Sequence, residues 1–214
     1  ELIMADLSLR HVTKRYPNGF TAVKDFNLEM KDGEFVILTG KKGCGKSTVL
    51  RMIAGAEDVT NGEIQLDGKI IHDQKPENRE IAMVFQYYSL YPHMTVYDNL
   101  SFGMRLRKIP EEQIDIAVRE AAGMLGLYEL LNRRLPVLSE GQKQRVSLGR
   151  AIVRKPKLFL FDEPLYGLEE KVQIQIRTEI EKLHENMGAT ILYAAHNRAE
   201  AEKFDTEKNR ILLF

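Results

Sequence analysis

The sequence predicts an α/β fold: a parallel core sheet flanked by helices, an antiparallel β piece at the N-terminus, and a helical subdomain inserted in the middle. Three observations carry this. Continuous apolar runs such as FVILT, LFLFD and TILYA read as strands covered on both faces. The first thirty residues instead alternate apolar and polar around a PNG turn. Between roughly residues 87 and 157 the alternation of strand and helix stops and helical periodicity takes over.

In chain order, residues 7–16 and 21–30 are expected to pair as antiparallel strands. Residues 33–40 form a buried strand, and 46–56 a helix. The Asp67-Gly68 pair turns one short strand of 62–71 onto the next. Residues 81–86 make another strand. Helices follow over 96–107, 111–125 and 140–155, punctuated by Pro110 and Pro136. The β/α order then resumes with a strand ending in Asp162, a helix over 169–187, a strand ending at His196, a short helix and a terminal ILLF strand. The whole of 1–214 reads as one domain, with 87–157 as the insert.

Bulk properties exclude several classes. Lys+Arg and Asp+Glu both total 31, so the net charge is zero and gives no basis for a nucleic-acid partner. A single cysteine, Cys44, permits no internal disulfide and fits a reducing compartment. No apolar run approaches the roughly 20 residues that span a bilayer, so direct membrane insertion is not expected.

Gly40-x-x-x-x-Gly45-Lys46-Ser47, between an apolar strand and a helix, has the spacing of a phosphate-binding loop. Glycines let backbone N–H groups turn toward phosphate oxygens, and the helix start adds its positive dipole end. Lys46 is placed to reach the β- and γ-phosphates and Ser47 to hold Mg²⁺. A strand ending in Asp162-Glu163 offers one carboxylate for Mg²⁺ and one to polarise water. Ser139 and Gln142 form a capping box that opens a helix, and the same geometry can receive an anion. Gln86 ends a strand, Tyr16 precedes a turn where it can stack on a base, and His196 ends a strand close to the phosphates.

Together Tyr16, GKKGCGKS, Gln86, LSEGQ, LFLFDEP and His196 resemble, in order and spacing, the ATPase subunits of ABC transporters, a P-loop NTPase family. The segments VFQYYSLYPHMTVYDNL and GRAIVRKPKLFLFDEPL are most similar to the branch that powers bacterial sugar and glycerol-phosphate import. The resemblance implies a transport-coupled ATPase with ATP and Mg²⁺ as cofactors. ATP would contact Tyr16, Gly40, Lys41, Lys42, Gly43, Cys44, Gly45, Lys46, Ser47 and Thr48 of one subunit. Ser139, Gly141 and Gln142 of a second subunit would close over it in a head-to-tail dimer. Ser47, Gln86 and Asp162 would serve Mg²⁺ and its water shell; Glu163, His196 and Gln86 would be catalytic, with Glu163 the general base. Residues 86–97 would couple to transmembrane permease subunits, placing the protein in the cytoplasm, peripheral on the inner face of the cell membrane.

The sequence departs from that family pattern in a cluster. Lys41-Lys42 replaces the usual Pro-Ser, Glu140 a glycine, and Leu165, Tyr166, Gly167, Leu168 and Glu169 follow the DEP motif in place of Ser-Asn-Leu-Asp. Ala195 and Asn197 flank His196 where threonine and aspartate are usual, and no C-terminal regulatory domain is expected. A carboxylate at 140 about 4 Å from a polyanion meets repulsion of order several kcal/mol. Two readings stay open: a chain that binds ATP largely as a soluble monomer with impaired dimerisation and little turnover, or a dimer in which Lys41 and Lys42 face Glu140 or Glu169 of the other subunit. Lys41 and Lys42 as extra charge for phosphate is the plainer reading, as is Cys44 as a small residue that fits. A phosphate-loop kinase is a third class, in which LSEGQ and the DEP–His pair have no task.

Overall fold

The computed structural model describes residues 5–85, 90–204 and 208–214. They fall into two compact units. The α/β unit comprises Glu1–Met83, Lys157–Glu163 and Glu181–Phe214; the helical unit comprises Val84–Pro156 and Pro164–Ile180. The helical unit therefore draws on a second stretch of chain, after the strand that ends in Asp162, which periodicity alone does not reveal.

In the α/β unit, β1 (Leu7–Arg15) and β2 (Thr21–Met30) pair antiparallel, with Leu7 opposite Met30 and Leu9 opposite Leu28. β4 (Asn61–Leu66) lies on the other side of β1, and β5 (Lys69–Ile70) closes this sheet through the predicted Asp67-Gly68 turn, both residues having positive φ. The second sheet has the order β6 (Ile81–Val84), β7 (Leu158–Asp162), β8 (Thr190–Ala194), β3 (Phe35–Thr39), β9 (Arg210–Leu213). Every residue of β3, β7 and β8 is buried, which accounts for their unbroken apolar sequences.

Helix α1 (Lys46–Ala54) packs Val49, Leu50, Met52 and Ile53, all at 0% exposure, into the core shared with both sheets. Each such side chain contributes about 1.5–3 kcal/mol. The helix stops two residues short of the expected end because Gly55 adopts φ 80° and its N–H turns back to Arg51 and Met52 carbonyls. The buried Arg79 guanidinium then donates to Met52 O at 2.7 Å and Ile53 O at 3.0 Å, satisfying carbonyls that a helix end leaves open.

In the helical unit, α2 (Val96–Leu106) starts in a capping box between Thr95 and Asp98. α3 (Glu111–Met124) follows Pro110, and α4 (Glu140–Ile152) starts in the Ser139–Gln142 box that the sequence predicts. α4 ends before the expected Lys155, which has left-handed backbone, φ 45°. α5 (Glu170–Met187) begins in this unit, and α6 (Arg198–Ala201) belongs to the α/β unit.

Candidate nucleotide site

Strand register assembles the site. Leu38 of β3 and Asp162 of β7 both pair with Ala194 of β8, so three strands end at one level. The phosphate loop leaves β3 there, Glu163 leaves β7 and His196 leaves β8. This is the edge at which open α/β sheets bind ligands.

The loop Gly40–Ser47 needs its glycines for space. A Cβ on Gly45, at φ 114°, would lie 2.4 Å from the Ala22 carbonyl oxygen. At Gly43, φ 79°, a Cβ would meet nothing within 4 Å, so the loop is open on that side. Lys46 is 3% exposed and folds its ammonium back onto the loop, donating to Gly40 O at 3.2 Å and Lys41 O at 3.5 Å. It lies 3.8 Å from Glu163 Oε1. Lys41 and Lys42 are exposed, and among the described residues neither forms an ion pair; Cys44 is half-buried.

Ser47 Oγ donates to Asp162 Oδ1 at 2.6 Å. Burial pushes the Asp162 carboxyl above its ordinary range, against the Ser47 hydrogen bond and the positive charges of Arg51 and Lys46, which pull it down; Glu163 pushes with burial. Glu163 sits at φ 46°, a left-handed conformation that costs about 1–3 kcal/mol outside glycine and recurs at functional sites. Its N–H donates to Ala194 O at 3.0 Å. Its Oε2 is 2.8 Å from His196 Nδ1.

A residue that sequence reasoning missed holds that histidine. Glu200 Oε2 accepts from the His196 backbone N–H at 3.3 Å, and Glu200 Oε1 accepts from the buried Tyr193 hydroxyl at 2.5 Å. Burial, reinforced by Glu163, raises the Glu200 carboxyl, while Tyr193, the His196 N–H and the His196 ring oppose the shift. The available signal was a Glu three residues after an N-cap Asn, since Asn197 Oδ1 accepts from Glu200 N at 2.9 Å.

Tyr16 stands beside this group. Its ring carries the Lys14 ammonium 5.2 Å from its centroid, and its hydroxyl donates to Glu57 Oε1 at 3.4 Å. A cleft of about 220 Å³ is lined by Tyr16 and Phe20, by Lys46, Ser47 and Thr48 of α1, and by Glu163. Phe20 was not foreseen, because a phenylalanine after a turn carries no chemical signature.

Ser139, Gly141 and Gln142 belong to the helical unit. The Ser139 and Gln142 side chains are engaged in their own capping box, at 3.3 and 2.9 Å. Glu140 pairs with Lys143 at 2.7 Å. Gly141 is a packing requirement as well: a Cβ there would lie 2.7 Å from Val172 Cγ1 of α5. Gln86 lies outside the described residues. No described helix is long and apolar enough to cross a membrane, and no cluster of three or more His, Cys, Asp or Glu among the described residues could hold a metal ion.

Comparison with known proteins gives the family. A family model described as ABC transporter matches residues 23–166. The multiple sugar-binding transport ATP-binding protein MsmK of Streptococcus mutans is 52% identical over 92% of this chain and 53% of its own length. The oligosaccharides import ATP-binding protein MsmX of Bacillus subtilis is 52% identical over 92% of this chain and 54% of its own. The chain thus spans about half the length of these relatives. The solved dimeric ATP-binding cassette MJ0796, in a post-hydrolysis state with ADP and Pi, superposes with a TM-score of 0.84 at 30% identity, covering 97% of this chain and 94% of that one. On the match across residues 23–166, together with the phosphate loop and the strand-end acids, the chain belongs to the ABC transporter family.

Proposed function

We propose that this chain is the ATP-binding and ATP-hydrolysing subunit of an importer, that its two units act as one domain, and that it works as a head-to-tail homodimer on transmembrane permease subunits at the inner face of the cell membrane. The solutes are sugars or related compounds, in keeping with the named roles of MsmK and MsmX. The observation that carries the reading is the joined pair of contacts at the strand ends, Ser47–Asp162 at 2.6 Å and Glu163–His196 at 2.8 Å.

The residues fit Mg²⁺ and ATP. A serine hydroxyl beside a carboxylate is the hard oxygen donor set that Mg²⁺ takes alongside phosphate. The open side at Gly43 leaves the loop N–H groups room for phosphate oxygens. When bound, Mg²⁺ and the protein's cations spread the charge that builds on the transferred phosphoryl group. Lys46 exchanges its loop carbonyls for phosphate oxygens. Glu163 Oε1 takes the proton of an attacking water, while His196 Nδ1 holds Oε2 and fixes the carboxylate's orientation. Tyr16 stacks on the base. Ser139, Gly141 and Gln142 of the second copy close the site, and Gln86 joins the water shell. Lys143 offsets the Glu140 charge, one of the grounds, with Tyr166 and Glu169, for the reading of an impaired dimer.

MgATP hydrolysis per subunit, measured over a wide range of protein concentration with Glu163→Gln as the blank, tests this. The rate is expected to rise with concentration and saturate. A rate equal to the blank at every concentration, in protein that binds ATP, would leave an ATP-binding domain without a motor.

A further inference from the structure

The turn between β1 and β2 carries an aromatic pair for which hydrolysis alone provides no task. Tyr16 N donates to Phe20 O and Gly19 N to Tyr16 O, both at 2.9 Å. The two aromatic residues thus oppose each other across the hairpin, and opposed residues project their side chains to the same side. Their rings are parallel to within 10°, with centroids 6.4 Å apart. Atoms in van der Waals contact are about 3.5–4.0 Å apart, so two rings facing each other across one flat group have centroids about 7–8 Å apart, somewhat more than the separation here. Phe20 is 57% exposed, so burial in the core does not explain it.

Tyr16 is held by its neighbours. Lys14 approaches its ring, pairs with Glu57 at 3.1 Å and donates to the Asp58 carbonyl at 2.8 Å, while Glu57 also takes the Tyr16 hydroxyl. Both rings line the cleft that holds Lys46 and Ser47. We propose that Phe20 is a second aromatic wall of the base subsite, forming with Tyr16 a slot that sandwiches the base of the nucleotide. This rests on the nucleotide-binding reading above. Insertion needs the rings to part by at least about 0.6–1.6 Å, a movement open to a ring as exposed as Phe20. Ala22 and the two rings present no charged group to the base, so the slot gains its affinity from stacking.

The chain contains no tryptophan, so Phe20→Trp installs a single indole in the wall itself. Titration with MgATP is expected to quench its emission, and titration with magnesium tripolyphosphate, which has no base, to leave it unchanged. By calorimetry, Phe20→Ala should raise the Kd for MgATP about 5- to 150-fold, the range that loss of one stacked base implies. It should leave the Kd for tripolyphosphate as in the wild type. MgATP binding by Phe20→Ala as tightly as by the wild type would overturn the proposal and leave the ring pair as a brace for the hairpin. So would an equal loss for both ligands, which marks a distorted phosphate loop. No calorimetric binding of MgATP to the wild type would instead remove the nucleotide reading itself, and the slot with it.

Discussion

In the α/β unit the polar residues of the site are bound to one another: Ser47 to Asp162, Glu163 to His196, and His196 through its backbone to Glu200. In the helical unit, Ser139 and Gln142 bond to each other and Glu140 to Lys143, contacts within the first turn of their own helix. In the proposed function the first arrangement is set for chemistry before any partner arrives. The second is a capped helix start whose outward face, in the proposed function, meets the nucleotide of a second copy. The first region is therefore proposed as a site on a hydrogen-bond pattern, whereas the second is proposed on its place in the family motif.

The largest expected effect divides the two regions between subunits. Glu163→Gln removes the proposed base, which should lower hydrolysis at least about 100-fold. Ser139→Asp keeps a good N-cap but turns a carboxylate toward phosphate, and should be nearly inactive alone. In a head-to-tail dimer, mixing the two variants rebuilds one site with an intact α/β half and an intact helical half. A steady-state assay of the mixture should recover activity that neither variant shows. No recovery at concentrations where the wild type saturates would break the comparison.

A smaller effect separates the glycines. At Gly45 the obstacle to a Cβ is the Ala22 backbone carbonyl; at Gly141 it is the Val172 side chain. Gly45→Ala should cost about 1–3 kcal/mol of stability through strain that no side-chain trimming relieves. Gly141→Ala should cost a similar amount, about 1–3 kcal/mol, through overpacking. Val172→Ala should recover most of the Gly141→Ala loss and none of the Gly45→Ala loss in urea denaturation. Equal response of both glycine variants to Val172→Ala would show that the two sites are constrained in the same way.

The smallest effect is on pH. The Glu200 carboxyl is raised in the fold above the ordinary glutamate value of 4.5 by burial, with Glu163 adding to the shift and Tyr193 and His196 opposing it. The folded state then holds this proton to higher pH than the unfolded chain does. Its contribution to stability is present below pH 4.5 and declines as pH rises through the folded value. Glu200→Gln lacks that dependence, so its stability relative to the wild type should increase from acid toward neutral pH. A constant difference across that range would remove Glu200 as a buried ionising group.

Local chemistry made much of the molecule legible from sequence. Alternation separated β1 and β2 from the fully buried β3, β7 and β8; turn residues located Asp67-Gly68; the Ser139–Gln142 spacing located the start of α4; and glycine spacing located the phosphate loop. Each of these signals acts over a few residues. Three other features depended on the tertiary structure. Ser47 meets Asp162 across 115 residues and Glu163 meets His196 across 33, because β3 and β7 both align with Ala194 of β8. Glu200 became a support for His196, and Phe20 a ring parallel to Tyr16, through contacts whose distances no local pattern encodes. Periodicity sets which residues enter a strand or helix, but strand order and register set which ends meet, and these follow from packing of the whole core.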